Sequence, residues 1–128
     1  YITDFISEYL DKDIIICGDM NVAHLDIDIS NPRQKKNKVP GFFDNERNDF
    51  TKLIETNKLI DVFRNLNPEK RKSTYWSNFI RGPRNKENGW GIDYFMCTPN
   101  LITSSVKSCN ILMEIMGSDH CPIELNLN

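Results

Sequence analysis

Apolar positions along the chain fall into short blocks whose spacing changes from helical to extended. Ile2, Phe5, Ile6, Tyr9 and Leu10 follow the i, i+3, i+4 pattern and predict an amphipathic helix, which Asp11 to Asp13 breaks. Ile14, Ile15, Ile16 and Cys17 form a continuous apolar run that stops at Gly18, the pattern of a fully buried strand. Residues 24–45 are polar and carry Pro32, Pro40 and Gly41. They predict a long loop, and in compact domains such loops are usually functional or disordered. Phe50, Leu53 and Ile54 share one face of a second helix, with Asp44 or Asn45 as its N-cap.

Past that helix the blocks shorten. Residues 59–66 read as a short apolar turn, Ser73 to Ser77 as a strand, and residues 81–89 as a loop. Ile92 to Cys97 predicts a strand in which Asp93 faces the side opposite Ile92 and Tyr94. Lys107 to Met113 predicts another, and Met116 to Cys121 a turn. Ile123, Leu125 and Leu127 alternate with polar residues and close the chain as a half-exposed strand. Strands mixed with two helices, without internal repeats or a linker, predict one α/β domain.

Composition changes this picture little. The 128 residues are 39% hydrophobic and 27% charged, enough for a folded core. Net charge is −2, so the chain lacks the overall basic charge usual for a nucleic-acid binder. Any such contact must come from local patches: Arg33, Lys35, Lys36 and Lys38; Lys70, Arg71 and Lys72; or Arg81, Arg84 and Lys86. Each reads equally well as a solvated loop. Cys17, Cys97, Cys109 and Cys121 show no CxxC spacing, and three sit in apolar surroundings. They read as reduced thiols of an intracellular protein. No apolar run reaches membrane-span length, so no membrane partner is expected. The chain starts at Tyr1, already inside a helical pattern, and reads as a fragment.

Four segments carry candidate chemistry. In Gly18-Asp19-Met20-Asn21, the acid and the amide are two residues apart, so on extended backbone they point the same way at a strand end. Such a pair can hold a water and a phosphate oxygen, although Asp and Asn are also common turn residues. In Gly117-Ser118-Asp119-His120-Cys121-Pro122, Asp119 offers a hard oxygen to a cation such as magnesium, and His120 can move a proton or stabilise developing charge. A capped turn with a surface histidine is the plainer alternative. Asp93 lies in an apolar strand, where an acid is costly unless paired; its natural partner is the imidazole of His120, although a lysine would also serve. Tyr75, Trp76 and Trp90 adjoin the basic loops and could stack on bases or sugar, with Trp76 assigned to the core.

In order along the chain, GDMNVAH at 18–24, NP at 31–32, GF at 41–42, ER at 46–47, DVFR at 61–64, TYW at 74–76, GWGIDYF at 89–95 and GSDHCPIEL at 117–125 resemble the exonuclease III family of abasic-site endonucleases, over nearly the whole chain. GDxN and SDH alone would mark only the wider endonuclease/exonuclease/phosphatase superfamily. The resemblance implies the C-terminal half of a four-layer, DNase I-like α/β sandwich, a mostly antiparallel mixed sheet flanked by helices. It implies cleavage of the DNA backbone 5′ to an abasic site, leaving a 3′-hydroxyl, in double-stranded DNA bound by a monomer. By the same resemblance, Asp19 would orient or deprotonate the attacking water, Asn21 would hold it, and His120, braced by Asp93, would bond a non-bridging oxygen. Asp119, with Asp19 and Asn21, would serve Mg2+ or Mn2+. Trp90 and Tyr75 would line the pocket for the abasic sugar, with Asn31, Lys35 and Arg84 on the DNA. The implied location is the nucleus of a eukaryote, with the mitochondrion open, or the cytoplasm of a prokaryote. Exonuclease and 3′-phosphatase side activities stay open.

The chain departs from the family pattern at Gly91, where the family has Arg, and at Asn88, which abuts Gly89. Both predict a weaker grip on DNA. The family's N-terminal half, with further metal and phosphate ligands, is not in this sequence, which predicts little activity from these residues alone. Two alternatives stand beside this reading: a superfamily phosphodiesterase acting on a non-DNA phosphoester, and a non-catalytic fragment that binds DNA or a partner.

Overall fold

The computed structural model describes residues 1–79, 82–85 and 87–128. Ile80, Arg81 and Lys86 lie outside the described residues, and with them part of the expected 81–89 loop and its basic patch.

Two antiparallel sheets are flanked by short helices. The first contains β1 (Ile15–Asp19), β2 (Ile60–Asp61) and β3 (Asp93–Cys97) in the order β1-β3-β2. The second pairs β4 (Val106–Ile111) with β5 (Ile123–Leu127). Every ladder among the described residues is antiparallel, in keeping with the mostly antiparallel α/β arrangement expected from the resemblance. The helices are α1 (Ile2–Ser7), α2 (Pro32–Lys35), α3 (Asp44–Thr56), α4 (Val62–Leu66) and α5 (Pro99–Ser104).

The two faces of the first sheet bury different clusters. On one side Tyr94 and Met96 of β3 pack with Ile6 of α1, Phe50 of α3 and Leu59. On the other, Phe95 and Cys97 meet Val62, Leu101, Cys109 and Leu125, which joins β3 to the β4–β5 pair.

Several expected elements are corrected. β1 is not buried on both faces. Ile15 and Cys17 are exposed, because they share a face with their cross-strand partners Cys97 and Phe95 but extend beyond the cover that β4 and β5 give. The first helix ends at Ser7 and buries only Ile6, leaving Phe5 and Leu10 in solvent. Asp44 opens α3 rather than capping it; Phe43 is the N-cap, and Glu46 reaches back to accept the N–H groups of Gly41 and Phe43 at 2.8 and 3.0 Å. The expected turn at 59–66 instead contains β2 and α4, with Asp61 accepting the Arg64 N–H as a side-chain cap. Ser73 to Ser77 is not a ladder strand: only Tyr75 makes isolated bridges, to Trp90 and His120.

The segment 24–45 is not merely polar. It contains a 3-10 turn (Asp26–Asp28) and α2, and it brings Ile29 and Phe42 into a core of their own with Ala23 and Ile92. Buried Asp28 takes the Arg64 guanidinium at 2.6 Å and also accepts the Leu25 N–H.

Candidate active site

The site forms where the first sheet ends. The β1–β3 ladder closes on the pair Asp19 and Asp93, so two carboxylates emerge from adjacent strands at one edge. His120 reaches this edge from the turn before β5. Its ring Nδ1 lies 2.9 Å from Asp93 Oδ2, and its Nε2 lies 3.9 Å from Asp19 Oδ2. An N–H donated from Nδ1 to the Asp93 carboxylate leaves Nε2 facing Asp19. Asp93 is the most covered of the three, with a side-chain exposure of 15% against 31% for His120 and 33% for Asp19.

Asn21 reaches the site by a different route from the one its spacing implied. Its backbone is left-handed (φ 53°), and its N–H donates to Asp19 Oδ1 at 2.7 Å. The Asp19 side chain therefore holds a tight turn, and the acid and amide are not neighbours on extended backbone. Both still line one cavity of about 380 Å³, with Val39, Pro40, Tyr75, Ser77, Trp90, Ile92 and His120. Gly41 permits the close approach of the 39–41 wall: φ is 84° there, and a Cβ would stand 2.7 Å from the Asn21 carbonyl oxygen. Val39, Pro40 and Ser77 were not readable from the sequence, since nothing local to them signals a cavity.

The aromatic wall is tied together by main-chain bonds. Trp90 and Tyr75 exchange N–H···O bonds at 2.9 Å, and the Tyr75 ring stands 5.0 Å from the imidazole of His120. Lys35 brings its ammonium over the Trp90 ring at 5.1 Å and donates to Ser30 Oγ. Partial burial and nearby Arg71 lower its pKa. Trp76 is buried, as expected of a core residue.

The other residues singled out lie apart from the cavity. Asn31, left-handed at φ 53°, precedes α2 and lines a separate hollow with Pro32, Arg33 and Gln34. Arg84 stacks over Trp76 at 4.9 Å and donates to the carbonyls of Ile115 and His120, bracing the back of the histidine turn. Asp119 takes a hydrogen bond from Ser118 Oγ at 3.3 Å, and its own carbonyl accepts the Trp76 N–H. Gly91, buried, donates its N–H to the Asp28 carbonyl at 2.6 Å. Cys97, Cys109 and Cys121 are buried free thiols, and burial pushes Cys109 up to about 12 and Cys121 to about 11. Cys17 is exposed.

Donor atoms of Asp19, Asp93 and His120 all lie within 4.8 Å of one another. The short Asp93–His120 hydrogen bond already engages two of these residues, which leaves the carboxylate of Asp19, a hard oxygen donor open to the cavity, as the free acidic donor of the group. The arrangement can therefore hold a water beside an acid, present an imidazole to a phosphate and accept a cation at the same edge.

Comparison with known proteins agrees with the geometry. An exodeoxyribonuclease of Bacillus subtilis (strain 168) is 40% identical over 117 residues, which are 91% of this chain and 45% of that protein. A DNA-(apurinic or apyrimidinic site) endonuclease of Dictyostelium discoideum is 44% identical over 88% of this chain and 30% of its own length. The chain thus spans less than half of these curated relatives. The structure of an AP endonuclease from Archaeoglobus fulgidus superposes with a TM-score of 0.85 at 27% identity, covering 99% of this chain and 51% of the other. That of the Leishmania major AP endonuclease gives 0.78 at 32% identity, over 88% of this chain and 34% of the other. With the Endonuclease/Exonuclease/phosphatase family model matching residues 3–120, nearly its full length, the chain belongs to that family.

Proposed function

We propose that these residues form half of the active site of a DNA-repair phosphodiesterase that cleaves the backbone 5′ to abasic sites. The observation that carries the reading is the Asp93–His120 hydrogen bond at 2.9 Å, with Asp19 facing the other ring nitrogen. An imidazole held by a carboxylate on one nitrogen presents the second to substrate in a fixed orientation. In its imidazolium form His120 would keep Nδ1–H on Asp93 and donate Nε2–H to a non-bridging phosphate oxygen as charge builds, Asp19 would orient or deprotonate the attacking water, and Asn21 would help to hold it. Asp19, assisted by Asn21 and by Asp119 from the histidine turn, would hold Mg2+, with Mn2+ as a substitute. The metal, when bound, supplies neutralisation of phosphate charge.

Trp90 and Tyr75 give the cavity a flat apolar wall suited to a base-free sugar turned out of the duplex. The family's arginine is Gly91 here, and the cation beside Trp90 is instead Lys35, a candidate phosphate contact together with Asn31 and Arg84. The protein would act as a monomer on double-stranded DNA inside the cell, in the nucleus or mitochondrion of a eukaryote or the cytoplasm of a prokaryote. No helix among the described residues is long and apolar enough to cross a membrane.

The test is a duplex with one stable abasic analogue, incubated with the intact protein and magnesium. Nicking on the 5′ side with a 3′-hydroxyl product is expected, and His120→Asn should reduce the rate by about 10²- to 10⁴-fold. Hydrolysis of small phosphoesters without nicking would overturn the DNA assignment. Duplex binding without cleavage would point to a non-catalytic role.

A further inference from the structure

Thr74 is fully buried and stands between the two segments that bear the acid and the imidazole. Its hydroxyl oxygen accepts the backbone N–H groups of Ile92 and Asp93, at 3.0 and 3.1 Å, and lies 3.4 Å from the Trp90 carbonyl. These N–H groups sit at the start of β3, where the β1–β3 ladder ends at Asp19 and Asp93. The Thr74 main chain holds the other side. Its carbonyl accepts the Cys121 N–H at 2.8 Å, one residue past His120, and its N–H donates to the Trp90 carbonyl at 2.7 Å.

We infer that Thr74 is a positioning residue: its hydroxyl fixes the carboxylate of Asp93 against Nδ1 of His120 and thereby sets which ring nitrogen carries the proton. Asp93 and His120 are far apart in sequence and share no ladder, so something must bring them into register. Thr74 bonds directly to the main chain of Asp93 and, through Cys121, to that of the histidine turn. Removing the hydroxyl leaves two buried N–H groups without an acceptor, which frees the start of β3 to shift. A shift of Asp93 removes the acceptor that selects the Nδ1–H form and leaves the neutral ring free to populate both forms. This inference rests on the Asp93–His120 pair of the proposed nuclease site, but its test does not require catalysis.

The experiment is ¹H–¹⁵N correlation of the histidine rings in the intact protein, with the His120 signals assigned by their loss in His120→Asn. With the ring neutral, the parent and Thr74→Ser should show the Nδ1–H form alone. Thr74→Val, of equal volume but without the hydroxyl, should show a mixture with the Nε2–H form. Retention of the parent pattern in folded Thr74→Val would overturn the inference. Should Thr74→Val not fold, Thr74→Cys, whose thiol is a weaker acceptor, is read in the same way. Nicking assays on the same proteins separate the two readings. If the parent does not nick abasic duplex, the nuclease assignment fails while the ring-proton result still decides the role of Thr74. If it does nick, Thr74→Val should lower kcat with little change in KM, and Thr74→Ser should restore it.

Discussion

At the scale of single residues, the site depends on groups that never reach the cavity. The Tyr94 hydroxyl accepts the His24 N–H and lies 2.6 Å from the Val22 carbonyl and 3.0 Å from that of Gly91. It pins the chain that follows Asn21 to the chain that precedes Asp93. Burial raises its pKa well above that of an ordinary tyrosine, so it stays protonated and can donate. Tyr94→Phe should therefore cost about 1–3 kcal/mol in urea unfolding and lower nicking by displacing Asn21. Arg64→Ala should cost about 3–5 kcal/mol, since it strands the buried carboxylate of Asp28. None of these contacts could be read in advance. The meeting of Asp93 with His120 was legible because an acid in an apolar strand needs a partner, although each motif taken singly also had a plain turn or strand reading. The turn at Asn21 was not, because spacing alone assumed extended backbone. Nor did local sequence indicate that Asn31 lines a different hollow from Trp90.

Among the elements, α4 carries a pH-dependent weakness. Its N-cap, Asp61, is pushed up to about 6 by burial first, with neighbouring Asp28 adding to the shift. A carboxyl whose folded pKa lies above its ordinary 3.8 resists ionisation in the folded chain. Its contribution to stability is complete below the ordinary value and is lost as pH rises through about 6. The loss is on the order of 2–3 kcal/mol at neutral pH. Asp61→Asn keeps a capping oxygen without the charge, so it should unfold at higher urea than the parent at about pH 7.5 and show no advantage at about pH 4. A stabilisation independent of pH would contradict this account. The helices and strands with strong periodicity were legible, α3 and β3 above all. The second core under residues 24–45 was hidden because its apolar members, Ile29 and Phe42, are isolated in sequence and meet only after the chain folds back. α5 was missed because six residues opened by a proline are too few to display a period.

For the whole molecule, the cavity holds two carboxylate-bearing or amide side chains able to face a cation, Asp19 and Asn21, and the chain covers under half of its curated relatives. The isolated polypeptide should accordingly nick abasic duplex at no more than trace rates with saturating magnesium, against robust turnover by the intact protein. Robust nicking by the polypeptide alone would show that its own residues suffice. Among the described residues β1 bonds to β3 alone, and Ile15 and Cys17 sit beside the exposed rings of Tyr1 and Phe5. A strand with a bare hydrogen-bonding margin and an oily side invites other chains to add to it. Expressed by itself, this polypeptide should form concentration-dependent assemblies in light scattering, and one lysine in place of Ile15 should disperse them.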